Sequence, residues 1–153
     1  MQIYLDADAS PVQRDVIQIA KQHLLPVILV KSYAHYSQKD TEDELVKVIY
    51  VDAEKEAADV KIVNRIRPGD ILITQDYGLA ALCLPRAGAV LHHKGFLYTE
   101  NNIARLLHTR HASAKARRAG KKTKGPRRYT EEERQKFQLL LHETIHHLQQ
   151  KDI

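Results

Sequence analysis

Five short apolar runs recur in the first 92 residues of the chain: "QIYLD" (2–6), "PVILV" (26–30), "VKVIYV" (46–51), "DILIT" (70–74) and "GAVLH" (88–92). Each has the length of a strand, and their nearly continuous apolar character suits strands buried on two faces. Between them lie segments with helical spacing. In "PVQRDVIQIAKQHL" (11–24), Val12, Val16, Ile19, Ala20 and His23 share one face, with Ile17 and Leu24 at its edge and Pro11 suited to a first turn. "AEKEAADVKIVNRI" (53–66) is helical until Pro68-Gly69 ends it, and "GLAALCL" (78–84) makes a short helix. The stretch "SYAHYSQKDTEDE" (32–44) is polar and reads as a loop with room for a short helix. Two more helices are expected at 100–119 and 130–149, with Thr99 or Glu100 opening the first and a Thr130/Glu133 capping box the second. Strands alternating with helices imply an α/β fold whose mainly parallel sheet carries helices on both faces. In such sheets ligands collect beyond the carboxyl ends of the strands.

A chain of 153 residues with 43% hydrophobic and 28% charged residues can bury a core and suits one domain. Its longest apolar run, Leu24 to Val30, is too short to span a bilayer. The first residues lead directly into a strand bearing Asp6 and Asp8, unlike a signal or transit peptide. Cys83 is the only cysteine, so no intramolecular disulfide can form. A soluble, cytoplasmic protein without a membrane partner is expected. The net charge of +5 is unevenly spread: residues 105–128 hold ten Lys and Arg and no acid, leaving 14 bases against 19 acids elsewhere. An acidic body therefore carries one basic segment.

"HETIH" (142–146) matches the helical zinc pattern H-E-x-x-H. Its context argues against that chemistry. Phe137, Leu140, Leu141, Ile145 and Leu148 form the apolar stripe of this helix, and His142 and His146 lie opposite, facing water. A catalytic zinc also needs a third ligand and a dry cleft, and only Asp152 follows as an acid.

The acids are more informative. Asp6 and Asp8 lie two apart where the first strand ends, able to meet one cation or, in the case of Asp8 or Ser10, to cap the following helix. Asp59 shares a helix face with Ile62, Val63 and Ile66, the face that meets the sheet. A carboxylate there needs a base, hydrogen bonds or a metal. Asp76 ends "DILITQD" as Asp6 ends the first strand, and Asp52 ends the third. Carboxylates converging on one edge need a counter-charge, and hard Mg²⁺ or Mn²⁺ matches an all-oxygen set. His92-His93, after the fifth strand, read as a strand end in water.

"DADASPV", "EAADVKIVNRIRPGDILITQDYGLAA", "LYTENNIARLL" and "SAKARRAGKKTKGPRRYTEEERQKF" together resemble the YaiI/YqxD family of bacterial proteins, over nearly the whole chain. That family is grouped with PIN-like domains. The resemblance implies a three-layer α/β/α sandwich, with residues 1–153 as a single PIN-like domain that includes a basic helix-loop-helix extension at about 100–150. It also implies a Mg²⁺- or Mn²⁺-dependent nuclease, with Asp6, Asp59 and Asp76 as catalytic residues and Asp6, Asp8, Asp59 and Asp76 as metal ligands. Glu42, Glu44 and Glu56 are open candidates for a further acid. Ser10 departs from the family's usual D-A-C-P.

Lys115, Arg117, Arg118, Lys121, Lys122, Lys124, Arg127 and Arg128 form a dense positive patch suited to nucleic-acid phosphates, with Tyr129 placed to stack on a base. A basic arm beside an acidic edge suits a nuclease that holds and cuts RNA. Two alternatives stand beside it. One is a non-catalytic nucleic-acid binder. The other is a haloacid dehalogenase-like phosphohydrolase, because "LDADAS" also resembles a D-x-D nucleophile loop.

Overall fold

The computed structural model describes residues 1–8, 10–38, 42–54, 56–120 and 128–151. Among these, six strands form one sheet in the order β3-β2-β1-β4-β5-β6. The strands are β1 (Ile3–Asp6), β2 (Val27–Ser32), β3 (Val46–Val51), β4 (Ile71–Ile73), β5 (Ala89–His92) and β6 (Phe96–Leu97). The first five pair in parallel, and β6 runs antiparallel to β5. The helices are α1 (Gln13–Gln22), α2 (Ala57–Arg65), α3 (Tyr77–Cys83), α4 (Glu100–Arg118) and α5 (Glu131–Lys151), and a 3₁₀ turn occupies Tyr33–His35.

The alternation of each strand sorts its side chains onto two cores. Ile3, Leu5, Val27, Leu29, Ile71, Ile73 and Leu91 face α1 and α5, while Tyr4, Ile28, Val30, Leu72 and Val90 face α2, α3 and α4. The result is the α/β sandwich expected from the sequence, with helices on both faces of a mostly parallel sheet. Helix α5 is integral to it: Phe137, Leu141 and Ile145 are completely buried. Each such side chain contributes about 1.5–3 kcal/mol, so the three together rival the net stability of a small domain.

Two local departures have physical causes. Strand β6 spans only Phe96–Leu97, too short for a period to register. It doubles back because Gly95 adopts φ +98°, where a Cβ would also meet Lys136 Cβ at 2.6 Å. Helix α2 starts at Ala57 rather than 53, behind Glu56 in the left-handed region at φ 86°. Both C-terminal helices have reciprocal caps. Thr99 and Asn102 exchange amide bonds of 2.9 and 3.1 Å before α4, and Thr130 and Glu133 form the expected capping box at 3.1 Å in both directions.

One ion pair ties α1 to α5. Asp15, nearly buried, receives Arg134 Nε and Nη2 at 2.9 Å each, and Gln138 Nε2 at 3.2 Å. The Arg134 guanidinium holds the Asp15 carboxyl below its ordinary 3.8. Replacing Arg134 removes two of the three side-chain donors to that charge and leaves Gln138 as its hydrogen-bond partner, with Arg14 as a more distant cation. Arg134→Met is expected to lower the midpoint of urea denaturation at pH 7. Because the folded carboxyl is depressed, the pair's contribution is complete above the unfolded value of 3.8 and disappears as pH falls through the lower folded value. Variant and wild type should therefore converge in acid.

Candidate functional site

All five parallel strands end on the same edge. From β1 the chain moves to β2 and β3 on one side, then crosses to β4 on the other, so the switch in direction lies between β1 and β4. Crevices for ligands form at such points. Asp6 is the last residue of β1, and alternation puts it on the same face as Tyr4, toward α2, α3 and α4. Across the switch, Thr74 Oγ1 donates to Asp6 Oδ2 at 2.9 Å and accepts the Asp76 amide at 3.0 Å. The Thr74 carbonyl accepts the hydroxyl of buried Tyr98 at 3.0 Å. Thr74 thereby fixes the ends of β1 and β4 against each other.

Asp76 caps α3, its Oδ1 accepting the amides of Gly78 at 2.8 Å and Leu79 at 3.2 Å. Arg110 Nη1 of α4 lies 3.6 Å from the same oxygen. Asp59 stands on α2 and is half-buried rather than sealed against the sheet. These carboxylates act on one another. Burial raises Asp6 to about 6; the Thr74 bond opposes the rise, and Asp59, Asp76 and Asp8 add to it. Burial also raises Asp59, with Asp76 and Glu56 adding to the shift and Arg110 opposing it. Asp6, Asp59 and Asp76 thus form one electrostatically coupled group.

Asp8 is held at the rim of this group. Its Oδ1 accepts the Ser32 amide at 2.9 Å and pairs with His35 Nδ1 at 3.2 Å, locking the loop after β1 to the end of β2. Ser10 Oγ accepts the Val12 amide at 3.3 Å ahead of α1. Of the three glutamates, Glu56 stands beside Asp59, whereas Glu42 accepts the Val48 amide at 3.0 Å and Glu44 is exposed. A cavity of about 400 Å³ opens alongside, with Asp59, Asp76, Arg110 and Glu56 as its charged groups and Val60, Val63 and Leu82 as its apolar wall. Among the described residues, no three His, Cys, Asp or Glu side chains converge closely enough to hold a metal ion.

Of the basic patch, Lys115 and Arg118 are exposed on the last turns of α4, and Arg128 is exposed ahead of α5. Arg117 belongs to α4 by its backbone; Lys121, Lys122, Lys124 and Arg127 lie outside the described residues. Tyr129 is not free to stack. Its hydroxyl donates to the His93 carbonyl at 2.7 Å, its ring meets the His93 ring edge-on, and it packs on the core. Nor is His92 a strand end in water. β6 folds back over it, Phe96 stacks on its ring at 4.7 Å, and burial drives its pKa down to about 3. His92 Nδ1 accepts the Lys94 amide, so this neutral imidazole is no general base.

Among the described residues, His142 and His146 of the HETIH helix have other neighbours. His142 is half-buried against His23, with Nδ1 and Nε2 2.9 Å apart, and His146 is exposed beside Gln150. Thr74 and Arg110 are not among the residues that the sequence singles out. The T-x-D spacing carried a signal for Thr74; Arg110 was one of ten bases with nothing to distinguish it.

Asp6 gives the site a pH signature. A carboxyl raised in the folded state opposes folding once ionised, so its effect on stability worsens as pH rises from 3.8 to about 6 and is constant above. Asp6→Asn keeps an acceptor for Thr74 and removes the charge. It is expected to be more stable than wild type at pH 7.5, by up to about 3 kcal/mol, with the gap closing below pH 4. Paired thermal melts across this range test the prediction, and a variant less stable at pH 7.5 would contradict it.

The family described as "Uncharacterized BCR, YaiI/YqxD family" matches residues 4–147. A UPF0178 protein of Bacillus anthracis (strain CDC 684 / NRRL 3495) is 47% identical over 145 residues, covering 95% of this chain and 99% of that protein. A UPF0178 protein of Bacillus cereus (strain G9842) is 46% identical over 147 residues, covering 96% of this chain and all of the relative. No solved structure gives a significant match. No helix among the described residues is long and apolar enough to cross a membrane. On both counts, the family match and the relatives, the chain belongs to the YaiI/YqxD family.

Proposed function

We propose that this protein is a phosphodiesterase acting on RNA, in which Asp6, Asp59 and Asp76, not converged on one point in this structure, would close on Mg²⁺ or Mn²⁺ when the ion binds. The observation that carries this reading is the burial of Asp6 at the β1–β4 switch point, which pushes its carboxyl up to about 6 with lesser repulsion from Asp59, Asp76 and Asp8, while burial also raises Asp59. Perturbed carboxylates beside a cleft of this kind are the usual mark of a reactive site. Arg110 is the one cation that acts on Asp59 and contacts Asp76 among the described residues, so the group carries excess negative charge. An all-carboxylate donor set of that charge suits a hard divalent ion. When bound, the ion supplies positive charge for phosphate oxygens and an activated water.

The chain's own groups set the frame for that chemistry. Thr74 holds Oδ2 of Asp6 and fixes how its carboxylate turns. Tyr98, buried and far from ionising, pins the Thr74 backbone from below. Arg110, half-exposed at the cavity, offers a planar fork of donors to a phosphate. Asp8 adds negative charge at the rim. Lys115, Arg118 and Arg128, with Arg117, Lys121, Lys122, Lys124 and Arg127 in the same stretch of sequence, provide salt-sensitive attraction for the phosphate backbone.

A non-catalytic nucleic-acid binder is the second reading, and it has its own observation. Arg110 already partners Asp76 at 3.6 Å, and no three described ligand groups converge. A phosphohydrolase with Asp6 as nucleophile gains no comparable support, since such enzymes place an acidic pair after a later strand and here Gly69-Asp70 precedes β4.

Incubation with end-labelled single-stranded RNA and Mn²⁺ separates the readings. The proposal expects cleavage that EDTA abolishes and that Asp6→Asn lowers at least a hundredfold. RNA retained in low salt without cleavage would establish the binder instead.

A further inference from the structure

The polar stretch after β2 holds an arrangement that the acidic group does not use. Tyr33 and Tyr36 are 61% and 60% exposed, although each carries a large aromatic ring. Both rest on Tyr50 of β3. The Tyr33 and Tyr50 rings stack with centroids 5.7 Å apart and planes 18° apart, and Tyr36 meets Tyr50 at 5.3 Å. The core does not account for this exposure, because the two outer rings leave most of their surface to solvent. An ordered apolar patch of this kind marks a contact surface.

The patch is anchored to the acidic edge. The Tyr36 amide closes the 3₁₀ turn on the Tyr33 carbonyl at 3.1 Å. Ser32 Oγ meets His35 Nδ1 at 3.1 Å, while the Ser32 amide and His35 both bind Asp8 Oδ1. The turn that presents the rings is therefore tied to the loop leaving β1. β2 and β3 are the next two strands from β1 in the sheet. At the usual strand spacing, their ends lie about 5–10 Å from that of β1.

We propose that Tyr33, Tyr36 and Tyr50 form a stacking platform for unpaired bases of a single-stranded nucleic acid whose backbone crosses the acidic edge. The proposal rests on the RNA reading for its direction and adds a substrate class, single strands rather than duplex. Flat, exposed and mutually supported rings match the faces of bases, which stack on aromatic side chains without regard to sequence. Bases already paired and stacked in a duplex cannot use them. Local charge is mixed: Asp8 beside the turn and exposed Asp52 after β3 disfavour phosphate at the rings, while Lys31 pairs in register with Tyr50 and His35 lies in the turn itself. Phosphates are left to Arg110 and the α4 bases on the other side of β1.

The chain has seven Tyr and no Trp, so tyrosine emission reports directly on stacking. A ten-nucleotide single-stranded RNA is titrated in low salt with EDTA, which separates binding from any cleavage. Wild type is expected to bind with quenching of emission. Tyr33→Ala/Tyr36→Ala should bind about tenfold or more weakly, Tyr33→Phe/Tyr36→Phe close to wild type, and the matching duplex with no difference between variants. Both positions are exposed, and circular dichroism checks that each variant folds. Absence of binding by wild type, unchanged affinity of the alanine variant, or equal loss in both variants would overturn the platform. So would a change in oligomeric mass with RNA affinity intact, which would make the patch an interface between copies. Failure of Mn²⁺-dependent cleavage bears on the nuclease reading and leaves this titration unaffected.

Discussion

The hydrogen bond from Thr74 to Asp6 is the interaction on which the site depends. It joins the ends of β1 and β4, the two strands between which the chain reverses its direction of travel across the sheet. The same threonine receives the Asp76 amide, and Asp76 in turn caps α3. One hydroxyl thus sets the positions of two carboxylates and the start of a helix. Burial of Asp6 makes this costly for a charged group, since an ionised carboxylate loses water that a single hydroxyl does not replace. The fold therefore holds an acid where its ionisation opposes stability. A site that gains from a cation has this character, and a purely structural hydrogen bond does not require it.

The two C-terminal helices divide the remaining work. Helix α5 covers the α1 face of the sheet and is fastened by the Asp15–Arg134 pair, far in sequence and adjacent in space. Helix α4 lies over the opposite face, placing Arg110 at the acidic cavity and Lys115 and Arg118 farther along the same helix. The charge asymmetry of the chain is thereby brought to a seam, acidic strand ends meeting a basic helix. The seam supplies attraction for a polyanion on one side and excess negative charge on the other, and the proposed cation reconciles the two.

Much of this was legible in the sequence because it rests on local pattern. The strand runs, the helix faces and the Thr130/Glu133 box depend on spacing alone, and Asp6, Asp59 and Asp76 stood out as acids at strand ends or on an apolar helix face. What was illegible depends on contact between distant residues. β6 is two residues long and is dictated by the turn at Gly95. His92 became buried because β6 covers it, and Tyr129 was taken up by the His93 carbonyl. Arg110 gained its role from the path of α4. Asp8 shares strand parity with Asp6, but its bonds to Ser32 and His35 hold it to β2. The tyrosine cluster needed β2 and β3 paired before Tyr50 could support Tyr33 and Tyr36.

The central claim is that Asp6 belongs to a coupled carboxylate group that attracts a divalent cation. Carbon-detected NMR titration of the aspartate side chains, with and without Mg²⁺, tests this most directly. The account predicts that Asp6 titrates near 6 in EDTA, well above the ordinary 3.8, and moves down by a unit or more in Mg²⁺ with Asp59 following in the same direction. A midpoint near 4 that Mg²⁺ leaves unchanged would contradict both the coupling and the cation site.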